Sequence, residues 1–193
     1  YDLGNSNKKN KEIGWIIDHK VIMNILFDEI KLRNNINQFW GVDTDLFIGD
    51  NDFLFAADGS MSKTRDYYKI RNYKFKYRQG CLTSRILIRG AESHIAYEIL
   101  RDEGPLAILP IGGGIFQVVW TADYELSMER SKLSPANFLD LLASVLPEGL
   151  EPDVLLDELN AFSLDLSFSP IPFRNRVFIL GESAHKCHPV GGQ

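Results

Sequence analysis

Cysteine is scarce: only Cys81 and Cys187 occur in 193 residues, and they lie far apart. That excludes a disulfide-stapled secreted framework and points to a reducing, cytoplasmic setting. Long apolar runs are missing too. Nothing approaches the ~20 consecutive apolar residues of a membrane helix, and the polar start Tyr1-Asp2-Leu3-Gly4-Asn5 has no signal-peptide character. Basic charge is not in excess. Twenty-one lysines and arginines face 26 acids, a net charge of -5, so nucleic acid is not an expected partner. There is no internal repeat and no low-complexity tract. What remains is ordinary globular material, 45% hydrophobic and 24% charged, long enough to bury a core without metal or disulfides. The chain begins on Tyr1 and stops at Val190-Gly191-Gly192-Gln193, a glycine pair straight after a strand and a proline. It therefore reads as a fragment.

Along the chain, residues 5–12 are polar and lysine-rich and read as a surface loop. Val21, Ile22, Ile25, Leu26 and Ile30 fall on one helical face. Phe53-Leu54-Phe55-Ala56-Ala57 reads as a buried strand entering a turn at Asp58-Gly59. Residues 63–79, rich in charge and tyrosine, read as a crossing between lobes. Four strand-like runs follow, at 81–89, 94–100, 105–111 and 115–122. Gly90, Glu103-Gly104 and Gly112-Gly113-Gly114 separate them, and that spacing predicts antiparallel hairpins. Ser134-Pro135 is a cap followed by proline at the first helical position. Phe138, Leu139, Leu142 and Leu146 form that helix's apolar face, and Pro147 ends it. Residues 161–168 and 176–180 are further strands. Trp120 and Phe116 read as core. The pattern is α/β (α+β mixed): an outer layer, an inserted antiparallel sheet and a return. It divides into residues 1–70, 71–172 and 173–193.

Two segments carry chemistry. In Ala57-Asp58-Gly59-Ser60-Met61-Ser62-Lys63-Thr64-Arg65 a strand delivers an Asp to a tight turn. Gly59 permits a positive φ, and Ser62 caps the helix that follows. Backbone N–H groups at such a start, with Arg65 one turn on, suit a phosphate. The plainer reading is a strand-turn-helix junction with a surface arginine. In Gly181-Glu182-Ser183-Ala184-His185-Lys186-Cys187-His188-Pro189-Val190-Gly191-Gly192-Gln193 a carboxylate stands at a strand's carboxyl tip, where α/β folds hold a ribose hydroxyl. His185, Cys187 and His188 are spaced too tightly for a zinc site, and no second ligand pair matches them. No metal is expected.

Together these segments resemble the two internal motifs of the group A FAD-dependent aromatic hydroxylases: Asp-Gly-x-x-Ser-x-x-Arg, and Gly-Asp-Ala-Ala-His followed by a Pro spacer and Gly-Gln-Gly. The resemblance leans to the ubiquinone-biosynthesis branch, through Tyr77-Arg78-Gln79, which is one residue shorter than the branch's Tyr-x-x-Gln, the run Gly104 to Pro110, and Val119-Trp120. Glu182 replaces the family's usual Asp. The family's Gly-x-Gly-x-x-Gly dinucleotide fingerprint does not occur in these residues, since Gly112-Gly113-Gly114 joins two hairpin strands and opens no helix. It is expected upstream of Tyr1.

The resemblance implies a two-lobe FAD-binding fold with an inserted antiparallel substrate sheet. It implies FAD as cofactor, NAD(P)H as electron donor and a small aromatic substrate. It places Asp58, Gly59 and Arg65 near the phosphates, Gly181 and Glu182 at the ribitol or ribose side, and Pro189, Gly191 and Gly192 along the flavin ring. The cofactor carries the chemistry, so no catalytic side chain is assigned. Strands 105–111 and 115–120, with neutral Ile108, Pro110 and Gln117, imply a lipophilic quinone precursor reached by peripheral membrane contact. Arg85 and Arg89 cut against this as nearby cations. The isolated fragment is expected to be inactive. The alternatives are a halogenase or prenyl reductase type of flavoprotein, or a non-catalytic remnant of the fold.

Overall fold

The structure, a computed structural model, describes residues 14–42 and 52–188. The loop assigned to 5–12 lies outside them, as do Pro189, Gly191 and Gly192. Helix α1 spans His19–Lys31, capped by the Asp18 side chain, which accepts from the Lys20 backbone N–H. A short strand β1 (Leu54–Ala56) and helix α2 (Lys63–Tyr67) follow. The long strand β2 (Tyr73–Arg89) leads to β3 (Tyr97–Ile99), β4 (Leu106–Gly112) and β5 (Ile115–Asp123). Two helices, α3 (Tyr124–Arg130) and α4 (Pro135–Ala143), precede β6 (Glu151–Leu155) and β7 (Asn160–Phe168). The chain closes with β8 (Phe173–Arg174), β9 (Val177–Ile179) and β10 (His185–Lys186).

The strands make two sheets. A seven-stranded antiparallel sheet runs β10-β7-β2-β5-β4-β3, with β6 also on β2, and a three-stranded sheet runs β1-β9-β8. The predicted hairpin of β4 and β5 is present, joined at Gly113-Gly114. Period-2 alternation sends Leu106, Ile108, Phe116, Val118 and Trp120 to one face of the large sheet. There they are buried with Leu82, Ile86, Phe138 and Leu142, beneath α4. Each such side chain contributes roughly 1.5–3 kcal/mol by leaving water, so this core anchors the fold. A smaller cluster of Ala56, Ile70, Val177, Ile179 and Ala184 packs one face of the small sheet.

Several sequence expectations change. The segment 63–79 is not a plain crossing: it contains α2 and the first part of β2. The run 94–100 forms only the three residues of β3, and the helix after Ser134 stops at Ala143 rather than near Pro147. Strand β1 is not buried on both faces, since Phe53 and Phe55 are 64% and 62% exposed. They belong to a ring ladder on Phe178 across the small sheet's outer face. Helix α1 has its apolar stripe, but none of its residues is buried. Gln117, opposite Leu109, points away from the face that holds Ile108. Those two side chains therefore do not share one surface.

Candidate functional site

Strands β1 and β9 run parallel, with Leu54 opposite Val177 and Ala56 opposite Ile179. Everything between them, including most of the large sheet, is the crossover that parallel pairing demands. The Leu180 N–H donates to the Ala56 carbonyl at 2.8 Å. Asp58-Gly59 and Gly181-Glu182 thus leave the same carboxyl edge of one parallel pair. In open α/β sheets ligands bind at that edge.

The first motif is closed by its own side chains. Asp58 Oδ2 accepts from the Thr64 N–H at 3.1 Å, and Ser62 Oγ accepts from the Arg65 N–H at 2.9 Å. Burial pushes the Asp58 carboxyl up, but its hydrogen bonds with Ser62 and Thr64 outweigh this and hold it below the ordinary aspartate value. Gly59 turns the chain at φ +84°. Arg65 is only 1% exposed. Its Nη1 donates to the Ser183 carbonyl at 3.1 Å and its Nη2 to the Ser60 carbonyl at 3.1 Å. Nε faces the exposed carboxylate of Asp66 at 3.4 Å.

The second motif opens at Gly181, φ +57°, in a single 3-10 turn over Gly181–Ser183. The buried Ser183 hydroxyl donates to the Ala56 carbonyl at 2.7 Å and accepts from the Leu180 N–H at 3.1 Å. Glu182 is exposed, with no partner among the described residues. A Cβ on Gly59 or Gly181 would meet nothing within 4 Å. Both backbones therefore stand open to an approaching ligand, which fits a flat or anionic cofactor.

The chain then crosses to the other sheet, because β10 pairs with β7 and Lys186 Nζ donates to Asp165 at 2.6 Å. His188 Nε2 lies 3.2 Å from Gln79 Oε1, and its ring meets Tyr77 edge-on at 5.3 Å. Strand β2 bulges between Lys76 and Gly80, which pair with Asp165 and Ser163 of β7. Tyr77, Arg78 and Gln79 thus oppose the single residue Leu164. A bulge re-aims side chains, and here it turns Gln79 toward the end of the second motif. Burial lowers the His188 pKa below the ordinary histidine value.

Of the residues named from sequence, the structure brings Asp58, Gly59, Gly181 and Glu182 to one edge. Arg65 lies beneath that edge, tied to backbone carbonyls. Sequence reasoning missed Ser183, for which no local signal exists, and the Gln79–His188 contact, for which the Tyr77–Gln79 stretch was a partial signal. Trp120 and Phe116 are core, as expected. Among the described residues no three metal-ligating side chains cluster.

No protein-family model matches the chain. An uncharacterized protein of Synechocystis sp. is 34% identical over 140 residues, covering 72% of this chain and 34% of that protein. The ubiquinone biosynthesis monooxygenase COQ6 of Mus musculus is 24% identical over 174 residues, covering 72% of this chain and 37% of that protein. Solved flavoprotein structures share the fold. The flavin-dependent halogenase CmlS matches with a TM-score of 0.57 at 23% identity, over 74% of this chain and 27% of that one. A probable FAD-dependent monooxygenase of Pseudomonas aeruginosa, pqsL, matches with a TM-score of 0.58 at 17% identity, over 73% and 41%. HpxO of Klebsiella pneumoniae, solved with FAD, matches with a TM-score of 0.52 at 19% identity, over 74% and 39%. The architecture is that of the FAD-binding hydroxylases. The chain is similar, at low identity, to flavin-dependent hydroxylases and halogenases, and it spans about a third of the length of the two relatives named here.

Proposed function

We propose that this chain is part of a monooxygenase that uses FAD to hydroxylate an aromatic, lipophilic quinone precursor, with NAD(P)H as electron donor. The observation that carries the reading is the shared carboxyl edge of β1 and β9, where both motifs emerge and Arg65 and Ser183 join them. Bound there, FAD supplies the activation of dioxygen. Gly59 and Gly181 give backbone access to the phosphates and ribitol, and Glu182 accepts from a ribose hydroxyl. Pro189, Gly191 and Gly192 flank the ring. Arg65 acts as frame under this edge rather than as a phosphate contact. The protein binds, orients the substrate ring and keeps water out. The mouse relative's ubiquinone-pathway name supports the substrate class. So does Arg85, whose guanidinium is held by Asp157 in two hydrogen bonds of 2.6 and 2.8 Å. A cation occupied in this way leaves little to attract a benzoate.

These 193 residues alone are expected to bind FAD weakly, because no glycine fingerprint in them offers a helix N-terminus to the pyrophosphate. Fluorescence titration of the chain with FAD tests this, and sub-micromolar affinity would overturn it. Substrate class is tested on the holoenzyme by NAD(P)H oxidation with product analysis. Hydroxybenzoate and a prenylated phenol are supplied separately, with and without halide. Hydroxylation of the benzoate alone would remove the lipophilic assignment. A halogenated product would favour the halogenase alternative.

A further inference from the structure

One face of the large sheet is the core beneath α4. The opposite face carries Gln79, Cys81, Thr83 and Arg85 of β2, because side chains alternate along a strand. The bulge between Lys76 and Gly80 displaces β2 relative to β7. Against β5 the register runs unbroken there, with Gln79 opposite Asp123 and Cys81 opposite Thr121, so Gln79 keeps the face of Cys81. It stands at the end of that face nearest the second motif, where its Oε1 lies 3.2 Å from His188 Nε2. The residue after His188 is Pro189, which the proposed function sets beside the flavin ring.

Other polar groups of this face are committed within the protein. Gln117 Nε2 donates to the Ser84 and Val118 carbonyls, each at 3.2 Å. Arg85 is held by Asp157, and Asn160 Nδ2 donates to the Glu158 carbonyl at 3.1 Å. Thr121 is buried and bonded to Cys81. Asp123 turns its carboxylate to α3, where it accepts from the Glu125 N–H at 2.9 Å. Gln79 differs. With its oxygen accepting from His188, its amide nitrogen keeps N–H groups that have no acceptor among the described residues. The residue is half-buried, and a donor partly withdrawn from water carries a cost that a ligand acceptor removes. The Thr83 hydroxyl is spare among the described residues as well, but it sits four residues on, ~13 Å along the strand, away from the motif.

We propose that Gln79 binds the substrate: its side-chain oxygen holds His188, and its amide N–H groups donate to an oxygen on the aromatic ring. The inference deepens the proposed function and rests on it. A neutral amide donor suits the lone pairs of a phenol or carbonyl oxygen and brings no charge for a carboxylate. Because one planar amide makes both bonds, the ring oxygen is fixed relative to the segment that leads to the flavin ring. Orientation of this kind decides which ring carbon is presented for hydroxylation.

Gln79→Glu separates the two roles, since a carboxylate still accepts from His188 but has no N–H to give. Gln79→Leu removes both. Binding is measured on the oxidised holoenzyme without NAD(P)H, from the change in flavin absorbance on adding a prenylated phenol or the same compound without its phenol oxygen. The parent is expected to prefer the phenol by about tenfold, the worth of a neutral hydrogen bond. Gln79→Glu should keep the parent's FAD affinity and bind both compounds alike. Gln79→Leu should lose the preference and hold FAD more weakly as well. A parent without preference would overturn the inference. So would a Gln79→Glu variant that keeps the preference, which is the result for an acceptor bonded to the phenol hydrogen. Loss of FAD affinity together with the preference in Gln79→Glu would reduce the residue to a clamp on His188 and overturn it too. A parent holoenzyme that hydroxylates no phenol would remove the proposed function and this inference with it. Hydroxylation by the parent, with the preference intact in Gln79→Glu, would remove the inference alone.

Discussion

Arg65 donates a hydrogen bond to the carbonyl of Ser183, 118 positions further along the chain. Through it the five-residue helix α2 after β1 is tied to the turn after β9. The other guanidinium nitrogen serves Ser60 within the first motif. Ser183 completes the joint from its side by bonding to the last carbonyl of β1. The carboxyl edge proposed for the cofactor is thus preorganised by groups that need not touch the cofactor.

Arg65→Ala is accordingly expected to destabilise the fold by roughly 2–5 kcal/mol. It orphans two carbonyls at about 1–3 kcal/mol each and opens a cavity. Arg65→Lys should lose less, because an ammonium satisfies one carbonyl but lacks the planar fork. Urea unfolding midpoints at constant m-value measure both. An alanine variant as stable as the parent, with weakened FAD binding in the holoenzyme, would return Arg65 to the phosphate role expected from sequence.

Glu182 stands at the opposite extreme, exposed and unpaired among the described residues. If it accepts from a ribose hydroxyl, Glu182→Ala should weaken FAD binding by roughly 1–3 kcal/mol in the holoenzyme and leave the unfolding midpoint unchanged. Glu182→Asp should be mild. Unchanged FAD affinity in the alanine variant would make Glu182 an ordinary strand-end carboxylate.

The contrast between these two residues shows what was legible in the sequence. Glycine punctuation and alternation marked β4 and β5, and Ser62 and Ser134 announced their helices. All of these are local signals. The depth of Arg65 was not legible, because its partners are backbone carbonyls, one of them over a hundred residues away. Strand β2 begins early, at Tyr73, yet Lys74 and Lys76 alternating with Phe75 and Tyr77 looked like a polar crossing. Pro152 hid β6. The stripe on α1 and the rings of Phe53 and Phe55 recorded apolar faces correctly. A periodic pattern reports a face, however, and not what covers it.

A pH-dependent contribution is expected at Glu103. Its carboxylate accepts from Arg130 at 2.8 and 3.2 Å, from the Trp120 indole at 2.8 Å and from Arg101 at 3.3 Å. Arg130 also lies over the Trp120 ring at 4.1 Å. Burial pushes the Glu103 pKa up, but the bonds from Arg130 and Trp120 prevail and hold it below the ordinary 4.5. A carboxyl depressed by folding stabilises above its unfolded value, and that stability disappears as pH falls through the folded value. Glu103→Gln should cost roughly 1–3 kcal/mol near neutral pH, with the gap to the parent narrowing below 4.5. Denaturant titrations across that range measure it. A gap independent of pH would mean that shape, not charge, holds the cluster.

The two cysteines are expected to separate cleanly toward a thiol reagent. Cys187 is exposed, whereas Cys81 is buried in the large sheet between its partners Thr121 and Phe162. Burial raises the Cys81 thiol to about 11, although a hydrogen bond with Thr121 works the other way. Only the thiolate attacks, and with that pKa about one Cys81 in a thousand is ionised near pH 8. Steric closure adds to this, since a reagent reaches β2 only when the strand opens. Native protein should therefore consume one equivalent of a chromogenic disulfide quickly. The second equivalent should react at a rate that rises with denaturant, as unfolding does. Cys187→Ser should abolish the fast phase and leave the slow one intact. Two fast equivalents in the native protein would show that the centre of the large sheet opens readily, and that β2 is not the rigid spine its pairing with β5 and β7 implies.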